Sequence, residues 1–451
     1  MTSSARTTAE PAEPAPEAES ETGPSPSGPR PAEAAGAEGF SDRTLALVVA
    51  AVTLPILWMG YGTDIDVGHV LDAARSIRDG HYEPSRTPGV PVFEAVAAAL
   101  DPIGGHLLLN LATALAAAVT VVGVARLVRH WGHPNGDLIA LAFLASPVTI
   151  IASTSVGDFV WALAFFVSGA LAHLRSRTVL AGVLFGLAIG SRLSTAFLIA
   201  AFLVADGWDP PNRRRCLRSA LVAIPVGAAL YIPSWLAFDR SLRFLETAEG
   251  YRGFANNLGR FVYKNYAYAG PVLLIVLLIA APALVAAVKR WRDDPLLRFG
   301  VLGFVVTQLL FFQLPWKGAH LLPSLLTLLL WLAASRRNTR RFLWLVVAAT
   351  AVNGLVSLRL FAPDVPNEAT TGRWNPTVGA GLLVNDIECR LDFMDTYPTV
   401  AVSIDTWDCT LHPLQGSGGS ADRATDQPGT RARPTSSSTS SVWVSPGNRT
   451  S

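Results

Sequence analysis

The chain has 451 residues, half of them hydrophobic and only 16% charged, with a formal net charge of +2. A soluble protein of that length divides into about three domains, but long apolar runs parted by short charged clusters exceed what such cores need and call for a bilayer. The near-zero balance excludes a global field aimed at nucleic acid or an acidic partner; three cysteines without a Cys-x-x-Cys pair exclude a disulfide scaffold and a thiolate metal motif.

Residues 1–40 are rich in Ala, Pro, Glu, Ser and Gly and read as a disordered cytoplasmic tail rather than a cleavable signal peptide. Apolar stretches then follow at about 43–60, 106–128, 137–154, 157–174, 178–191, 193–206, 217–237, 268–288, 297–314, 319–334 and 341–361. The expected fold class is an all-α polytopic membrane protein, with about ten or eleven transmembrane helices across residues 41–361. The stretches 178–191 and 193–206 fall short of the ~20 residues a straight crossing needs, so they fit broken helices or one long tilted element. Residues 362–414 form a small extracytoplasmic segment. Within it Trp374, Phe393, Tyr397 and Trp407 fit an ordered unit, and Cys389 and Cys409 are either paired or free. Residues 415–451 are Ser/Thr/Gly-rich and read as a second disordered tail, where the Asn448-Arg449-Thr450 sequon is a chance match.

One set of short loops carries Arg126 and Arg129, Arg175 and Arg177, Arg213 to Arg215 with Arg218, Lys289 to Arg298, and Arg336 to Arg341. Dense basic loops face the cytoplasm. The expected location is therefore the cytoplasmic membrane, with the N-terminus inside and the C-terminus outside.

The first outer loop reads Gly62-Thr63-Asp64-Ile65-Asp66 and runs into Val67, Val70, Leu71, Ala74 and Ile77 at helical spacing. His69, Asp72, Arg75, Arg78 and Asp79 occupy the opposite face, as in an amphipathic helix lying in the membrane interface, with Gly80 as its stop. Asp64 and Asp66 admit two readings. On spacing alone they suit an N-cap and a first-turn acid. Alternatively, one takes a proton from an incoming hydroxyl or amine while the other holds it or a divalent cation.

Beyond this helix comes Tyr82-x-x-Ser85-Arg86-x-Pro88-Gly89-x-Pro91-x-x-Glu94. A first span, an acidic outer loop, an interfacial helix and this motif together resemble the GT-C glycosyltransferases, polytopic enzymes that include protein O-mannosyltransferases and the lipid A aminoarabinose transferase. The resemblance implies a polyprenyl-phosphate sugar as glycosyl donor, an extracytoplasmic acceptor, and an acidic first-loop residue as catalytic base. Many members carry adjacent acids where this chain has Asp-Ile-Asp, which leaves the choice of aspartate open and favours Asp64. No cofactor is required by this chemistry, because the lipid phosphate itself leaves as the anion; a divalent metal stays an open alternative.

Further outer-end residues join the candidate set. Asp158 directly precedes an apolar run, as an interfacial N-cap or, as in the resembling family, a second site acid. Arg192 breaks the positive-inside pattern and either snorkels or grips phosphate. Lys317 and His320, in Trp316-Lys317-Gly318-Ala319-His320-Leu321-Leu322-Pro323, resemble the family's basic motif near the lipid phosphate, with Lys317 the stronger contact. Arg86 and Glu94 are expected to pair with each other or to meet the lipid head. The outer loop from Phe238 to Ala267, with Arg252, Arg260, Lys264, Tyr251, Tyr263 and Tyr266, is placed to cover the acceptor. Walker, GxGxxG, HExxH and GxSxG motifs are missing. Rival readings are a transporter or flippase, whose site belongs near the midplane, and a non-catalytic scaffold.

Overall fold

The computed structural model describes residues 39–362, 373–392, 400–405 and 408–413, apart from 65, 246–252, 316 and 336. Apart from Gly39 and Phe40, both expected tails, and the sequon, lie outside these residues.

The described chain is helical almost throughout. It runs α1 (Asp42–Thr53), α2 (Asp66–Arg78), α3 (Pro91–His130), α4 (Gly136–Leu144), α5 (Pro147–Ser153), α6 (Phe159–Leu174), α7 (Thr178–Ser191) and α8 (Thr195–Gly207). It continues through α9 (Arg213–Leu230), α10 (Ile232–Ala237), α11 (Phe254–Ala287), α12 (Pro295–Gln313), α13 (Leu322–Ala333) and α14 (Arg340–Leu355). Two antiparallel hairpins flank a last helix: β1 (Val356–Ala362) with β2 (Arg373–Ala380), then α15 (Leu382–Asp392), then β3 (Val400–Asp405) with β4 (Asp408–Pro413).

Four helical stretches are long and apolar enough to cross a membrane: Pro91–His130, Pro210–Ala237, Phe254–Arg290 and Pro295–Gln313. A fifth arises if α4 and α5, bent by 74° where Pro147 starts a new helix, count as one crossing. The polytopic helical class therefore stands. Of the other expected crossings, α6, α7, α8 and the stretch Gly318–Ala333 are shorter apolar helices, and turns at Arg175–Arg177 and Arg192–Ser194 cut the apolar runs.

Several boundaries move for local reasons. The expected span 43–60 is a helix only to Thr53. In α3, Gly105 adopts φ 52°, a conformation that favours glycine, and so separates Pro91–Ile103 from the expected span beyond it. The expected loop 238–267 is partly helix: α11 begins at Phe254 and carries Arg260 and Lys264 into the interior, while Tyr251 and Arg252 lie outside the described residues. At the far end α14 stops at Leu355, where the backbone turns extended at Val356 and opens β1.

The main core joins α3, α4, α6, α7, α8, α12, α13 and α14, with Phe166, Phe185, Phe202 and Phe299 packed ring against ring near its centre. A second core seats α2 on the start of α3: Val67, Val70, Leu71 and Ala74 meet Phe93, Ala97 and Val156. The apolar face of α2 thus packs on protein, where the sequence suggested the membrane interface.

The two ends of the bundle differ in chemistry. Basic turns meet at one end, where Arg126 and Arg129 hold Asp42, Arg340 holds Asp137, and Arg298 reaches Asp209 and the carbonyls of Ala205 and Arg292. The acidic first loop, the 154–158 turn and Lys317 converge at another point, described next.

Candidate active site

Asp64 lies two residues ahead of α2. Its Oδ1 accepts from the backbone N–H of Asp66, the first helical residue, at 2.8 Å, an Asx-type turn that satisfies one of the free N–H groups of the helix start. The same oxygen accepts from Lys317 Nζ at 2.9 Å, and Lys317 also meets Asp66 Oδ1 at 2.5 Å. Asp66 is further paired with Arg86. Arg86 gives its other amino group to Asp158 Oδ1 at 2.7 Å, and Arg192 takes Asp158 Oδ2 at 2.8 Å. One continuous network therefore joins three carboxylates and three cations drawn from five separate points of the chain.

Asp158 sits at the N-cap position of α6 but forms no side-chain cap bond, since both of its oxygens go to arginines. Burial by itself would raise its pKa; the charges and hydrogen bonds of Arg86 and Arg192 prevail and hold the carboxyl well below its usual range. Arg192, at the end of α7, lies over the Phe159 ring at 3.8 Å, and the His320 ring packs against the same phenyl group at 5.6 Å. Enclosure pushes Lys317 below the usual ammonium value, with Arg86 and Arg192 acting in the same direction and Asp64 opposing.

Glu94 and Arg86 do not pair with each other. Glu94 is fully buried and accepts from Tyr82 Oη, from the backbone N–H of Ser85 at 2.8 Å, and from the Ser85 hydroxyl. These donors satisfy it within the proline turn, while Arg86 is drawn to the two aspartates. Glu94 is thus a buried brace for the proline turn. Of the sequence candidates, the structure brings together Asp64, Asp66, Arg86, Asp158, Arg192 and Lys317, sets His320 beside them, and places Glu94 behind the turn that carries Arg86.

The two acidic turns touch directly. Val156 N–H donates to Tyr61 C=O at 2.8 Å, and Gly62, at φ +106°, lies against Ser155 so closely that a Cβ would come within 2.4 Å of its Cβ. The residues missed from sequence lie in α15. Arg390, fully enclosed, donates to the Thr154 carbonyl at 2.8 Å and to Ser155 Oγ at 2.7 Å; its Nε lies 2.9 Å from Asp386 Oδ2, and Asp386 accepts from the Thr63 hydroxyl. In the sequence this pair is only an acid and a base four apart, the commonest pattern of a solvated helix face. Cys389 between them is disulfide-bonded; the Cys409 side chain lies outside the described residues.

Among the described residues, one group has the ligand types for a metal: His173, Asp206 and Cys216. Arg215 already takes both Asp206 oxygens at 2.8 and 2.9 Å, Cys216 donates to the same carboxylate, and His173 also hydrogen-bonds Ser219. Each polar atom has a partner without an ion, so the group acts as a clasp between α6, α8 and α9.

Comparison with curated proteins finds no match. Two crystal structures of ArnT from Cupriavidus metallidurans, one bound to undecaprenyl phosphate and one apo, are similar to this chain at 16% identity, with TM-scores of 0.49 and 0.47. Each similarity covers 64% of this chain and 58% of the ArnT chain. The family model for glycosyltransferase family 87 matches residues 87–312, half of the sequence. That stretch contains Glu94, Asp158 and Arg192 and stops short of Asp64, Asp66, Arg86 and Lys317. The chain belongs to glycosyltransferase family 87.

Proposed function

We propose that this chain moves a sugar from a polyprenyl-phosphate donor to an acceptor outside the cytoplasmic membrane, at the network formed by Asp64, Asp66, Asp158, Arg86, Arg192 and Lys317. The observation that carries the reading is the balance of that network: three carboxylates and three cations neutralise one another at one point of the bundle. Such an arrangement keeps charged groups tolerable beside hydrocarbon until an anion arrives.

A phosphate brought by the lipid competes for Lys317 and Arg192. Arginine grips phosphate through paired N–H groups, and lysine follows as a point charge. Once Lys317 turns to the phosphate, the Asp64 carboxylate is freed to meet the acceptor. The acceptor X–H then loses its proton to the Asp64 carboxylate as X bonds to the anomeric carbon. The bond from that carbon to the phosphate oxygen breaks, and the electron pair leaves with the polyprenyl phosphate. Lys317 and Arg192 stabilise the charge that develops there. Arg86 holds Asp66 and Asp158 as a rigid floor.

The basic turns gathered at one end of the bundle support a cytoplasmic placement of that end, with the N-terminus inside. The site then opens outward. The test is turnover of a polyprenyl-phosphate sugar by purified chain in nanodiscs, with Asp64→Asn and Asp66→Asn beside the parent. A loss of at least about 10²-fold in kcat for Asp64→Asn is expected; full activity in both variants would falsify the mechanism.

A further inference from the structure

We infer that Asp386 and Arg390 are positioning residues, a strut from α15 that fixes the spacing between the Asp64 turn and the Asp158 turn. This rests on the reading of those aspartates as site residues. Neither residue of the pair touches the network itself, and both lie beyond the stretch that the family model matches.

The contacts form an unbroken line. Thr63, next to Asp64, donates to Asp386; Asp386 holds Arg390; Arg390 holds the Thr154 carbonyl, Thr154 Oγ1 at 3.3 Å and Ser155 Oγ, three residues ahead of Asp158. Both members of the pair are fully buried. The guanidinium forks across one turn while its carboxylate partner reaches the other, a division of labour that a single ammonium group cannot reproduce. Direct links between the turns include the Val156–Tyr61 hydrogen bond and the Gly62–Ser155 contact. The strut adds a further point of attachment, one that crosses from Thr63 to Thr154 and Ser155 through α15. Arg86, which must reach Asp66 and Asp158 together, depends on that geometry.

A misplacement of about 1 Å at a reacting group costs about 10²-fold in rate, so the strut is expected to act on kcat and to leave glycosyl-donor KM within about threefold. The discriminating variant is Asp386→Val with Arg390→Met. Removing both charges spares the fold the cost of an orphaned ion, and apolar replacement of a buried pair is often neutral for stability. A merely structural pair predicts that this double variant regains both Tm and kcat relative to Arg390→Met. A strut predicts recovered Tm with kcat still down about 10²-fold. Should the double variant not fold, Arg390→Lys keeps the ion pair and serves instead: parent Tm with parent kcat would overturn the proposal.

A second readout needs no substrate. Nitroxide labels at exposed His69 and at open Gly157 report the spacing of the two turns by pulsed electron spin resonance. The strut predicts a broader distance distribution in the double variant; an unchanged distribution sinks it. Failure of the glycosyl-transfer reading itself would show separately, as a parent protein inert toward the lipid-linked sugar with an intact label response.

Discussion

Lys317 Nζ donates to Asp64 Oδ1 at 2.9 Å across 253 residues of sequence. A basic group from the turn before α13 thereby pairs with a carboxylate of the first loop. Replacing Lys317 with Met removes the cation that the lipid phosphate is proposed to recruit. We expect kcat/KM for the lipid-linked sugar to fall about 10²- to 10³-fold, the range seen when one preorganised charge stabiliser is lost. Steady-state kinetics at saturating acceptor will check this; a change below threefold would remove Lys317 from the site.

The pH dependence follows from the same residue. Enclosure and two neighbouring arginines lower the Lys317 pKa from the usual 10.5, so its charge is lost at a lower pH than in a free lysine. Donor KM is expected to climb on the alkaline side before pH 10.5 is reached. Lys317→Arg, which stays protonated, moves that limb upward. An identical profile in both proteins contradicts the assignment.

Asp158 makes a prediction about stability. Its carboxyl is held below the usual 3.8 by Arg86 and Arg192. A group with a depressed folded pKa adds stability above its unfolded value and loses it as pH falls through the folded value. Thermal stability of the parent should therefore decline on acidification below about pH 4, with a smaller decline in Asp158→Asn. At neutral pH, Asp158→Asn leaves two guanidinium groups short of a counter-ion and is expected to cost about 3–5 kcal/mol. Melting in nanodiscs from acidic to neutral pH measures both.

Glu94 is expected to act as a brace. It accepts hydrogen bonds from Tyr82 and Ser85. Glu94→Gln keeps the size but turns one acceptor into a donor against those groups, an expected loss of about 1–3 kcal/mol. Glycosyl-donor KM should move little. A KM effect without a Tm effect would return Glu94 to the binding site.

Gly62→Ala probes the contact between turns. The backbone there has φ +106°, and a methyl group would overlap Ser155. Both effects push the first loop away from the 154–158 turn. Reduced Tm together with reduced kcat is expected, and wild-type behaviour in both would show that the turns need not touch.

The sequence by itself determined the solvent of this fold and much of its site. Long uncharged runs can only be satisfied as helices in lipid, so the helical membrane class was legible from composition and pattern. Asp158 stood out because an ionisable group at the edge of an apolar run is costly unless it has work or a partner, and Arg192 because it breaks the positive-inside pattern. Asp64, Asp66, Arg86 and Lys317 stood out through the motifs that resemble the GT-C glycosyltransferases. Partnership was not legible. Arg86 chose Asp66 and Asp158 over nearby Glu94 because the proline turn supplies Glu94 with three hydrogen-bond donors of its own. Asp386 and Arg390 carry no sequence signal beyond their spacing of four, and only tertiary packing, which seats α15 against two distant loops, turns them inward. Local pattern reports what each segment can bury; which groups then neutralise one another depends on contacts between residues hundreds of positions apart, and those exist only in the folded chain.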